Sequence, residues 1–173
     1  MRSALRLLVV TSVAAIALAL AAAASTRPAS RSFSIVGYEY AFTSTVGSFA
    51  GTGRGDAGAT AYWNAIVKHD RLGSNPTYVN GGSFAMTIRG PGGSIDAIVG
   101  AFDHHGGTIT TLDRGANCTN QRYLVTDTLS GVATPTTSNG SGNFRVTLTH
   151  YRHRLLGRCF AYKARVSGTV SFT

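Results

Sequence analysis

Along residues 142–153 (GNFRVTLTHYRH) large apolar side chains fall on every second position, with Phe144, Val146 and Leu148 separated by Arg145, Thr147 and Thr149. A period of two is the mark of a strand with one buried face. The same alternation, interrupted by glycine- and proline-rich breakers, predicts strands over 35–47, 60–70, 83–90, 94–102, 107–113, 121–131, 142–153 and 158–172. The breakers are GTGRGDAG, RLGSNP, GPGG, HHGG and TPTTSNGSG. Past the N-terminal apolar run, no helical period persists beyond a turn or two. Eight strands with short connections predict an all-β domain, a single antiparallel meander closing into a roughly eight-stranded barrel so that no edge is left unpaired. A β-sandwich satisfies the same strand list, because spatial strand order is not written in the sequence.

Parity then sorts the last hairpin. Phe144, Val146, Leu148, His150 and Arg152 share one face, while Arg145, Thr147, Thr149, Tyr151 and His153 share the other. On the returning strand Phe160, Tyr162, Ala164, Val166, Val170 and Phe172 alternate with Arg158, Lys163, Arg165 and hydroxyl residues. The apolar sets are expected inside, which carries His150 and Arg152 inward at one end and leaves Arg145, His153, Lys163 and Arg165 outside. Strand 121–131 places Tyr123, Val125, Asp127 and Leu129 together. A buried carboxylate needs a partner. Asp127 with His150 or Arg152, and Tyr123 or Tyr162 beside them, is therefore the candidate ligand-binding group, able to orient a polar ligand, transfer a proton, or simply plug the barrel. The outer four are a candidate anion-binding stripe, or else a solvated face that resists edge pairing. His150 and His153, three apart on a strand, point to opposite faces, so no metal site is assigned to them.

Composition adds location. Arg2 and Arg6, the run LLVVTSVAAIALALAAAA and the small residues Ala22–Ala24 form the three parts of a signal peptide over 1–24, followed by a short polar leader over 25–32 and one domain over 33–173. An uncleaved membrane anchor is the competing reading of the run. The expectation is a secreted, extracellular protein of bacterial origin, which would leave the glycosylation triplets at Asn117 and Asn139 idle. The chain carries a formal charge of +9, mostly from arginine, which permits a polyanionic partner such as an anionic envelope polymer. Cys118 and Cys159 are the only two cysteines; in an exported chain they are expected to pair.

No nucleophile elbow, P-loop, His-Glu-x-x-His motif or calcium loop occurs, and Glu39 is the sole glutamate. No cofactor and no metal are predicted. The aromatic residues fall mainly at core-facing positions, so no specific nucleic-acid surface is expected. Asp103-His104-His105-Gly106-Gly107 is expected in an exposed turn, and Arg54-Gly55-Asp56 in a glycine-rich loop. In pattern, though in no shared motif, the chain resembles small secreted barrels of the lipocalin-like and allene-oxide-cyclase-like groups. The function expected is a disulfide-stapled barrel that binds a small molecule or a cell-envelope component. Two alternatives accompany it: an acid–base enzyme of isomerase or cyclase type using the inner polar cluster, and an electrostatic binder of anionic polymer.

Overall fold

Eight strands hydrogen-bond in sequence order and the last pairs with the first, so the sheet closes on itself. This computed structural model describes residues 31–134 and 137–173; the expected signal peptide and nearly all of the expected leader lie outside the described residues. The strands are β1 (Arg31–Phe42), β2 (Val46–Gly55), β3 (Thr60–His69), β4 (Thr77–Arg89), β5 (Ile95–Asp113), β6 (Gln121–Thr134), β7 (Thr137–Leu155) and β8 (Arg158–Phe172). All neighbouring pairs are antiparallel. Single turns of 3-10 helix at Asp56–Gly58 and Ala116–Cys118 are the only helical pieces among the described residues. The barrel is the predicted architecture, and closure removes the sandwich alternative.

Alternation dictates what fills the barrel. On β3, Ala61, Trp63, Ala65, Val67 and His69 are buried while each residue between them is exposed. Aromatic rings occupy the middle: Trp63 stacks on Phe84 at 6.4 Å, and Phe144 meets Phe84 edge-on at 6.1 Å and Phe102 at 5.2 Å. Each such ring stabilises the fold by roughly 2–3 kcal/mol on burial, and the edge-to-face geometry adds about 1 kcal/mol per pair. The centre is therefore packed and offers no open channel. The interior is apolar, while the outward positions mix arginine, threonine and serine with exposed apolar side chains such as Val36, Tyr62, Ile66 and Val99.

The strand count agrees with expectation through two compensating differences. The strand expected over 35–47 is broken by the β1–β2 turn at 43–45, and β2 runs on into the first half of the GTGRGDAG segment, which alternation cannot reveal because its inward positions include Gly51 and Gly53. Gly51 is required by packing: a Cβ there would lie 2.0 Å from the Val36 carbonyl oxygen and 2.8 Å from Trp63 Nε1. Trp63 uses the space to donate its indole N–H to the carbonyls of Val36 (3.2 Å) and Thr52 (3.1 Å). Conversely, the two strands predicted over 94–102 and 107–113 are one, β5. Residues 103–107, expected in a turn, form a large bulge: Phe102 pairs with Leu129 and Thr108 with Thr126, so five residues of β5 stand against two of β6. The domain also begins slightly early, since Arg31 and Ser32 of the expected leader already pair with Phe172 and Ser171.

Candidate functional site

One end of the barrel is built from the β1–β2 turn, the end of β3, the start of β6 and the far part of β7. The inward row of β1 (Phe33, Ile35, Gly37) reaches Glu39 at this end. Its carboxylate Oε2 lies 2.8 Å from His150 Nε2, with only 5 % of the Glu39 side chain and 16 % of the His150 side chain exposed. Gly47, across the β1–β2 hairpin, leaves room for this arrangement: a Cβ there would sit 2.9 Å from Glu39 Oε1 and 2.6 Å from the Phe49 ring.

Aromatic rings flank His150 on two sides, Tyr123 at 5.5 Å and Phe42 at 6.2 Å. Burial is the main cause pushing the Tyr123 hydroxyl above the usual phenol range; the Arg152 guanidinium opposes this and the Glu39 carboxylate reinforces it. Tyr123 is thus held as a neutral phenol, able to donate and to accept. His69, also buried, faces the same recess and donates Nδ1–H to the carbonyl of Asp70 at 2.7 Å. In the neutral ring that bond fixes the tautomer and leaves Nε2 as an acceptor. Together with Val46, Val67, Ile109, Val125 and Leu148, these groups enclose a recess of about 70 Å³.

The disulfide closes over this end. Cys118 and Cys159 are joined, as expected, tying the 3-10 turn at Ala116–Cys118 to the start of β8. Arg152 works with it: its guanidinium donates to the Gly115 carbonyl at 3.1 Å, and its backbone N–H donates to Asn120 Oδ1 at 3.3 Å. Arg152 is therefore a strut for the 114–120 loop.

The expected grouping of Asp127 with His150 is not formed. Gln121 is the β6 partner of His150 and Asp127 lies six residues further along, about 20 Å away at strand rise. Asp127 is inward and buried, as parity required, but under the β5 bulge. Its Oδ1 accepts the Thr128 N–H at 2.7 Å, while Oδ2 is buried without a partner. Burial, reinforced by the charge of nearby Asp103, pushes its carboxyl up to about 7 against the pull of the Thr128 hydrogen bond. Asp103 itself is held below its usual range by hydrogen bonds from Ser130 and Thr128.

Tyr162 does not join the site either. Lys163 pairs with Tyr151 and Ala161 with Arg152, which leaves Tyr162 as the unpaired residue of a bulge. Beyond His150 the β7–β8 hairpin outruns its neighbours, since β6 starts opposite His150 and the β1 pairing stops at Arg165. With no third strand alongside, Tyr162 and Phe160 are 61 % and 46 % exposed. Arg145, Lys163, Arg165 and His153 are outward and exposed, with the His153 ring 5.2 Å from that of Tyr162. His104 and His105 ride on the bulge, their rings 4.1 Å apart. No group of three His, Cys, Asp or Glu side chains suited to a metal ion occurs among the described residues.

Glu39 is the residue that parity reasoning passed over. A signal existed, because the only glutamate of the chain stands on the inward row of β1. Its partner, however, is 111 residues away and is reached only through closure of the barrel by β8. No protein-family model matches the chain, nor does any curated protein or solved structure.

Proposed function

We propose that this protein is an exported binding barrel whose recess at the His150 end receives the polar head of a small, otherwise apolar molecule. The observation that carries this reading is the buried Glu39–His150 pair. Desolvating a carboxylate and an imidazole costs several kcal/mol, and a well-packed apolar pair in their place is commonly as stable or more so. Fold stability alone does not account for placing the sole glutamate there. A polar cluster buried among apolar walls is what a ligand site needs.

Size and chemistry narrow the ligand. Drug-sized ligands occupy roughly 300–1,000 Å³, so a recess of about 70 Å³ takes a head group and leaves the remainder in the mouth beneath Phe42 and Leu72. Glu39 and His69 Nε2 present acceptors, and an uncharged head bearing a hydroxyl suits them better than a carboxylate. Calorimetric titration with 1-octanol and with octanoate tests this. One-to-one binding of octanol, at least tenfold weaker in Glu39→Ala and absent for octanoate, is expected. Equal binding of both probes, or unchanged octanol binding in Glu39→Ala, contradicts the reading.

A second reading draws on the same pair. Glu39 and His150 at 2.8 Å, with the Tyr123 ring 5.5 Å from the imidazole, have the spacing of an acid–base set able to move a proton on a bound molecule. Isomerase or cyclase chemistry of the bound compound follows if the ligand retained by the protein differs, on incubation, from the ligand supplied.

A further inference from the structure

Phenylalanine and tyrosine part company in this fold. The phenylalanines of the centre are buried, whereas of the seven tyrosines only Tyr123 is. Tyr38 and Tyr62 stand 55 % and 71 % exposed on the outer face of β1 and β3. Register places them in a pattern. Tyr38 is directly opposite Arg165, and the next outward rung links Ser167, Val36, Thr52, Tyr62 and Thr87 across five strands. The outward rung after that carries Arg145 on β7, Arg54 on β2 and Arg89 on β4, connected through Thr169, Ser34 and Thr60.

The face is of one charge sign. β2, β3, β4, β7 and β8 contain no acidic residue; Glu39 of β1 lines the groove over β8 and β1, but its carboxylate is bonded to His150 and only 5 % exposed, and the nearest exposed acid is Asp56, just past the end of β2. Among the described residues, Arg54, Arg89, Arg145, Lys163 and Arg165 form no ion pair. Two shallow grooves lie here, of about 950 Å³ over β8 and β1 and about 450 Å³ over β2 to β4, and both are bordered by Tyr38 and Thr52. From β8 to β4 they span four strand spacings, about 19 Å.

We infer that this outer face, from β7 across β8 and β1 to β4, binds an acidic polysaccharide chain, as a site separate from the barrel-end recess. Exposed tyrosine rings offer flat apolar faces to the C–H faces of sugar rings. Arg165 and Lys163 on one side, and Arg145, Arg54 and Arg89 on the other, complement carboxylate or sulfate groups along the chain. Among the positions between the cations, Thr52, Thr87 and Ser167 carry hydroxyls, which both donate and accept toward sugar hydroxyls, and Val36 adds an apolar surface. Glycan hydroxyls likewise both donate and accept, whereas the phosphates and deoxyriboses of single-stranded DNA offer such side chains acceptors only.

Titration of the disulfide-intact protein with polygalacturonate, with dextran and with oligo(dT) in 50 and 200 mM NaCl tests the inference. Polygalacturonate binding that weakens at least tenfold at the higher salt, with no dextran binding and weaker oligo(dT) binding, is expected. The pair Tyr38→Ala and Tyr62→Ala should weaken it at least tenfold with the salt dependence kept. The pair Lys163→Glu and Arg165→Glu should abolish most of the salt dependence. All four side chains are exposed, and an unchanged Tm confirms that each variant folds. Wild-type affinity in the tyrosine variant, equal binding of dextran, or tighter binding of oligo(dT) overturns the inference.

Discussion

Glu39 Oε2 and His150 Nε2 meet at 2.8 Å inside the barrel although 111 residues separate them in sequence, because closure of β1 onto β8 brings the inward rows of β1 and β7 to the same end. The pair is costly to bury and costly to break. Removing one partner leaves the other desolvated and alone, which typically destabilises by about 3–5 kcal/mol. Glu39→Ala is expected to lose about 3 kcal/mol in urea unfolding. The double change Glu39→Leu with His150→Leu should recover most of that loss while abolishing ligand binding, separating function from fold.

Asp127 supplies a pH dependence of definite sign. Its carboxyl is raised to about 7 in the folded chain, against roughly 3.9 when unfolded. Between those values the native state holds a proton that the unfolded state has released, so stability falls as pH rises through this window and stays low above it. Asp127→Asn keeps the shape and cannot ionise. Urea unfolding at pH 5 and pH 8 should show the wild type losing stability at the higher pH, and the variant gaining about 1–3 kcal/mol over it there.

The glycines of β2 divide by what surrounds them. Gly51→Ala drives a methyl into the Val36 carbonyl and the Trp63 indole and is expected to destabilise by more than about 4 kcal/mol with a shifted Trp63 emission. Gly92→Ala, in an exposed turn with nothing within 4 Å of the added carbon, should lie within about 0.5 kcal/mol of wild type.

The disulfide closes a separation of 41 residues, for which the loop-entropy relation gives about 4 kcal/mol. The double change Cys118→Ser with Cys159→Ser should cost about that much in urea unfolding. It should also raise amide hydrogen exchange in 114–120 first, since Arg152 then holds that loop through the Gly115 carbonyl with help from Asn120. Denatured, unreduced wild-type protein should titrate no free thiol.

What the sequence disclosed depended on local parity. Phe144, Val146, Leu148, Val166, Val170 and Phe172 were placed inside by alternation alone, and they are buried. Parity failed where a neighbour decided burial: Tyr162 and Phe160 have the right phase but lie on a hairpin that outruns the adjacent strands. It failed on β2 because an inward position occupied by glycine carries no hydrophobic signal, the filling side chain being Trp63 of the next strand. The site was half legible. His150 and Tyr123 followed from phase, while Glu39 required knowledge of closure and Asp127 required register, neither of which a single strand encodes.

The most direct measurement is a native mass spectrum of the protein purified from the cells that produce it, beside that of the Glu39→Leu, His150→Leu variant from the same cells. One small molecule retained per wild-type chain, and none on the folded variant, is the result predicted here. A wild-type chain that flies bare, or an adduct that the variant keeps, would contradict the recess as a ligand site.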